Sequence, residues 1–125
     1  MENNLNNIIV VDDDRDILAL ACDLLESEGH SVLNFSEPLK ALEYIQNHLE
    51  SVALVFTDQR MPTMSGVKLY EKIREGSLKI PVLICSGDES VTELLNAKKD
   101  SVLYFIKKPY APKVLLDIVK KVIAI

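Results

Sequence analysis

The chain has 125 residues, 48% of them apolar, and a formal net charge of −5. That length suits one domain with a core of ordinary size, and the acidic balance argues against the surface as a whole binding nucleic acid. Two cysteines, Cys22 and Cys85, make neither a disulfide framework nor a metal-ligand spacing, which points to a reducing, cytoplasmic setting.

In chain order, residues 1–6 are a polar stretch, expected to be flexible, without the apolar region of a signal peptide. Residues 6–11 form a β-branched apolar run, read as a buried strand. It ends at "DDD", where Asp14 suits the cap of a helix carrying Ile17, Leu20, Ala21, Leu24 and Leu25 on one face. Gly29 stops that helix. Residues 31–35 read as an edge strand with a polar Asn34 inside it. Ser36, with Pro38 close behind, starts a second helix that turns Leu42 and Ile45 inward. Residues 51–56 are the third strand, and a helix from about Gly66 to Glu75 presents Val67, Tyr70 and Ile73. Residues 81–85 are the fourth strand. Ser90 and Glu93 have the spacing of a capping box for a short helix with Leu94 and Leu95. Residues 101–106 are the fifth strand, and 111–125 the last helix, striped by Val114, Leu115, Ile118, Val119 and Val122. No run is long enough to span a bilayer, so no membrane is expected.

Strict alternation of strands and helices predicts an α/β fold: a doubly wound, five-stranded parallel sheet covered on both faces, joined by right-handed crossovers. Such sheets hold ligands outside the carboxyl ends of their strands. The residues there are Asp12 and Asp13 after the first strand, Asp58 after the third, Ser86 after the fourth and Lys108 after the fifth. Three neighbouring carboxylates repel unless a cation joins them. Mg²⁺ suits a few carboxylates together with waters and a phosphate oxygen, and Mn²⁺ is the alternative. A hydroxyl and an ammonium can hold the other oxygens of a phosphoryl group.

The segments "VVDDD", "DQRMPTMSG", "CSG" and "KKPY", in this order and spacing, resemble the receiver domain of bacterial two-component response regulators. The resemblance covers roughly residues 7–124, and a single receiver domain is expected over 1–125. It implies the flavodoxin-like strand order 2-1-3-4-5. It also implies a phosphoacceptor at Asp58, which takes a phosphoryl group from a phosphohistidine on a histidine kinase or phosphotransfer protein. Asp13, Asp58 and the Arg60 backbone carbonyl would ligate Mg²⁺, and Asp12 would act mainly through water. Lys108 would pair with Asp58 at rest and with the phosphoryl group afterwards. Ser86 would bond a phosphoryl oxygen, and Phe105 would be the switch aromatic that turns inward as Ser86 moves. Pro109 would follow a cis peptide bond. The switched surface would lie on the last strands and helices, read by a downstream effector or by an output domain. No separate substrate would be turned over.

Three features depart from the family pattern. "NAKKDSVLYF" lacks the usual Gly-Ala pair before the switch aromatic, Ser86 stands where Thr is frequent, which conserves the hydroxyl donor, and Gly87 stands where Ala is common. Gln59 and Arg60 follow the acceptor, where their side chains would help or block a water attacking the acyl phosphate. Two other classes compete: a phosphohydrolase of the haloacid dehalogenase type, whose D-x-D pattern would follow the first strand, and an interaction module independent of phosphorylation. The sequence ends in an apolar stripe without a C-cap signal, which favours the receiver part of a longer regulator over a stand-alone receiver. Phosphorylation-dependent dimerisation through the last two helices is left open.

Overall fold

Two periodicities organise the chain. Strand residues alternate between the two faces of a sheet, and helical residues cover those faces at a spacing of three and four. In a computed structural model, which describes residues 6–124 and every side chain among them except those of Leu95 and Ala97, the elements are β1 (Asn7–Val11), α1 (Arg15–Ser27), β2 (Val32–Phe35), α2 (Pro38–Asn47), β3 (Val52–Asp58), α3 (Gly66–Gly76), β4 (Val82–Ser86), α4 (Glu89–Ala97), β5 (Leu103–Lys107) and α5 (Pro112–Ile123). A 3₁₀ turn at Leu49–Ser51 leads into β3. All strand pairs are parallel, in the order β2-β1-β3-β4-β5, as expected. The expectation of flexibility over residues 1–6 lies, for residues 1–5, outside the described residues.

Alternation divides the core in two. Ile9, Val11, Val55 and Ile84 face Ala41, Leu42 and Ile45 of α2 and Leu69, Tyr70 and Ile73 of α3. Ile8, Val10, Leu54, Phe56, Leu83 and Cys85 face Leu18, Ala21, Cys22 and Leu25 of α1 and Leu115, Val119 and Val122 of α5. Full burial of each large aliphatic side chain is worth about 1.5–3 kcal/mol. The central strands are therefore apolar throughout because each is covered twice.

Several local expectations are corrected. Ile17 and Leu20 of α1 are 40% and 62% exposed, while Leu18 and Cys22 join Ala21 and Leu25 inside. The apolar surface of α1 is wider than one stripe, and the sheet takes the side centred on Cys22. Val114 likewise faces outward on α5, whereas Ile118 packs against the core edge. Ser36 does not cap α2; Glu37 occupies the cap position without a side-chain bond, and Pro38 opens the first turn. The Ser90–Glu93 box does not form. Asp88 accepts from both the Ser90 N–H at 2.9 Å and the Ser90 hydroxyl at 2.8 Å, and takes over that turn. β3 runs two residues further than expected, through the buried Thr57 to Asp58. β5 begins at Leu103 because Asp100 closes a turn before it, accepting the Val102 N–H on Oδ1 at 3.0 Å and the Leu103 N–H on its carbonyl at 3.2 Å.

Candidate functional site

The register of the sheet gathers the polar residues. Val11 stands beside Thr57, Asp58 beside Cys85 and Ser86 beside Lys107, so the ends of β1, β3, β4 and β5 finish at one edge. Asp12, Asp13 and Asp58 each present a carboxylate oxygen there, all within 4.8 Å of one another. That spread is close to what one small cation bridges with bonds of about 2.0–2.1 Å, so the three residues fit a Mg²⁺ ion.

Each group is held by its backbone. Asp12 is 7% exposed, and its Oδ1 accepts the Asp14 N–H at 3.0 Å. Asp14 in turn caps α1, accepting the Asp16 and Ile17 N–H groups at 3.0 and 3.2 Å, as its position after β1 suggests. Lys108 Nζ lies 2.7 Å from Asp58 Oδ1, and the Lys108 N–H donates to the Ser86 carbonyl at 3.0 Å. The Lys108–Pro109 peptide is cis. Ser86 is buried, and its Oγ accepts the Asp88 N–H at 3.0 Å. Its hydroxyl proton is committed to no acceptor among the described residues.

The electrostatics follow from crowding. Burial pushes the Asp12 carboxyl above its ordinary value, and the Asp58 and Asp13 charges push it further against the Asp14 N–H and Lys108. Burial alone would lower the Lys108 ammonium, but its hydrogen bond to Asp58 and the charges around it outweigh burial and hold it high. Burial also raises the Cys85 thiol to about 12, which keeps it protonated and rules it out as a resting nucleophile.

Other expected residues lie around this centre. Phe105 is half-buried beside the α3-side core and borders a small cavity with Asn96, Leu103 and Tyr104. Arg60 borders a shallow depression shared with Asp13. The Gln59 side chain is tied to α3. Its Oε1 accepts the Val67 N–H at 2.8 Å, in the first turn of α3. Gly66 is required at the start of that helix, because a Cβ there would sit 2.5 Å from the Asp58 carbonyl oxygen. Sequence reasoning missed two further features. One is a largely apolar groove of about 560 Å³, in which Ile17, Leu20, Leu24 and Tyr110 adjoin Asp58 and Lys108. The other is a polar cluster of Tyr70, Arg74 and Asp100, away from the acidic centre. The first is hidden because Ile17, Leu20 and Leu24 read as core residues of α1, whereas Ile17 and Leu20 are exposed; long sequence separation hides the second.

The family model of the response regulator receiver domain matches residues 8–120. The phosphoglycerate transport system transcriptional regulatory protein PgtA of Salmonella typhimurium is 30% identical over 96% of this chain, and the putative two-component response regulator ARR21 of Arabidopsis thaliana is 31% identical over 90% of it. The chain spans 28% and 18%, respectively, of the lengths of these relatives. Among solved structures, a response regulator receiver domain protein from Clostridium thermocellum superposes with a TM-score of 0.85 at 26% identity, covering 96% of this chain and 95% of that one. A CheY-like receiver domain protein from Methanospirillum hungatei does so at 0.82 and 30% identity, covering 96% and 94%.

Proposed function

The chain belongs to the response regulator receiver domain family, and from that membership we propose that Asp58 is its phosphoacceptor in a His–Asp relay. One Asp58 carboxylate oxygen attacks the phosphorus of a phosphohistidine. The P–O bond forms as the P–N bond breaks, the bonding pair returns to the imidazole, and an acyl phosphate remains on Asp58. Lys108, 2.7 Å from Asp58, follows the charge onto the phosphoryl oxygens. Ser86 donates its uncommitted proton to another of them, and Phe105 on β5 follows Ser86 as the switch aromatic. Asp13, Asp58 and the Arg60 carbonyl would hold Mg²⁺, or Mn²⁺ in its place, with Asp12 acting through water, and the ion would neutralise the transferring group. The three carboxylates gathered opposite one ammonium carry this reading.

The donor is a histidine kinase or phosphotransfer protein. The apolar groove beside Asp58 offers such a protein a surface next to the reacting atom. An effector, or an output domain of a longer protein, reads the switched face, and the greater length of the curated relatives supports the latter. The domain modifies itself and turns over no separate substrate. No helix of the described residues is long and apolar enough to cross a membrane, which accords with action in the cytoplasm. Family membership removes the support for a haloacid dehalogenase-type hydrolase, whose nucleophile would stand after β1.

Incubation with a small acyl-phosphate donor and Mg²⁺, followed by intact mass measurement, tests the assignment. Wild type gains one phosphoryl group only with the metal, and Asp58→Asn gains none. A persistent adduct on Asp58→Asn would refute it.

A further inference from the structure

The first turn of a helix leaves backbone N–H groups without intrahelical partners. In α3 these are answered almost entirely by the loop that carries the acceptor. The Gly66 N–H donates to the Gln59 carbonyl at 3.0 Å, the Val67 N–H to Gln59 Oε1 at 2.8 Å, and the Lys68 N–H to Ser65 Oγ at 3.1 Å. Gln59 therefore supplies two of those three acceptors. Its own N–H is spent on the Cys85 carbonyl of β4 at 2.9 Å. Backbone and side chain together fasten this one residue to β4 on one side and to α3 on the other. Between its two ends the chain makes the 59–66 loop, which Gly66 lets close against the Asp58 carbonyl. Gln59 and Arg60 share the rim of one depression with Asp13.

We propose that Gln59 is a positioning residue for the divalent-cation site: its side-chain oxygen, by capping α3, closes the 59–66 loop and fixes the Arg60 backbone carbonyl toward Asp13 and Asp58. The inference rests on the phosphoacceptor reading above. A ligand contributed by a loop carbonyl has no rotamer of its own. Its direction is set by the loop, and the loop is set by its ties. A methionine at position 59 keeps the length of the side chain and removes the acceptor. A glutamate keeps the acceptor, at a helix N-terminus that favours negative charge.

The experiment compares wild type, Gln59→Met and Gln59→Glu in three measurements. Amide exchange of metal-free protein reads the cap directly: Val67 and Gly66 lose protection in Gln59→Met and keep it in Gln59→Glu. Calorimetric titration with Mg²⁺ reads the site, where Gln59→Met binds roughly tenfold more weakly than wild type. Phosphorylation by a small acyl-phosphate donor across a Mg²⁺ series separates positioning from general damage, because the Gln59→Met rate returns to the wild-type value once Mg²⁺ saturates. If Gln59→Met loses protection and melting temperature but binds Mg²⁺ as wild type does, Gln59 is a helix cap and nothing more. If wild type itself binds no Mg²⁺, the fault lies with the metal-dependent phosphoacceptor reading rather than with Gln59.

Discussion

Lys108 is the one cation ion-paired to the acidic cluster among the described residues, and its place explains both what it does at rest and what its loss would do. At 2.7 Å from Asp58 it offsets part of the repulsion among three carboxylates, and its raised proton affinity keeps it charged across the physiological range. Lys108→Met removes a preorganised donor from the transferring phosphoryl group, and such losses slow a reaction by roughly 10²-fold. Phosphorylation of Lys108→Met by a small acyl-phosphate donor should fall by about that factor, while calorimetry should find Mg²⁺ binding undiminished, since an ammonium competing for the same oxygens has gone. Weakened Mg²⁺ binding would mean that Lys108 shapes the metal site itself. Asp58, Asp12 and Lys108 were legible in the sequence because each directly follows or closes a strand, and strand ends are where a doubly wound sheet concentrates its chemistry. Gln59 was singled out for its proximity to the acceptor, but spacing gave no sign that its side-chain oxygen is tied to the first turn of α3.

Among the elements, α3 is fixed at both ends. Its start is tied to the acceptor loop, and its end is tied to the turn before β5. Arg74 Nε donates to Asp100 Oδ2 at 2.6 Å, the Tyr70 hydroxyl donates to the same oxygen at 2.7 Å, and Arg74 Nη1 reaches the Ile80 carbonyl at 2.8 Å. Both ionic side chains are largely buried, 11% and 15% exposed. Burial works to raise the Asp100 carboxyl, but the hydrogen bonds from Arg74, Tyr70 and the Val102 N–H, with the Arg74 charge, outweigh it and hold the group below its ordinary range. A carboxylate with a depressed folded-state pKa contributes stability above its unfolded value, about 4, and loses it as the pH falls through the folded value. Thermal melts across pH should therefore show wild type above Asp100→Asn at neutral pH, with the gap closing as the pH drops below about 4. Arg74→Met, which leaves Asp100 without its cation, should cost about 2–3 kcal/mol at neutral pH. A gap that persisted unchanged into acid would show that packing, not ionisation, makes Asp100 valuable. None of this cluster was readable from spacing, because Tyr70 and Asp100 are thirty residues apart in sequence. The Gly-Ala pair missing before Phe105 marked the region as unusual without saying why, and Asp100 now accounts for the shape of its turn.

For the whole molecule, the topology was legible in its entirety, since doubly covered strands must be apolar and their order came with the resemblance. Helix orientation was not, because α1 is apolar over more surface than the sheet can cover. The acidic edge also sets a global balance between stability and use. Asp12 is the most buried of its three carboxylates, and its carboxyl is raised. A carboxylate that ionises less readily when folded costs stability as the pH rises from about 4 through its folded value, and the full cost applies at neutral pH. Asp12→Asn should raise the melting temperature of the metal-free protein, worth about 1 kcal/mol. Mg²⁺ at a hundred times its dissociation constant should stabilise wild type by about 2.7 kcal/mol and Asp12→Asn by far less. Equal Mg²⁺ responses in the two proteins would remove Asp12 from the metal site.

The edge of the sheet opposite the acidic centre has its own use. Asn6, just before β1, and Val122 and Ile123, at the end of α5, line one depression there with Gly29, His30 and Pro81. The five residues of β1 put roughly 16 Å between that depression and Asp12. A dye, a bead or a fused reporter anchored at Asn6 or Ala124 therefore stands clear of both the nucleophile and the groove beside it. Either position gives an experimenter a handle from which the switch can be watched without being touched.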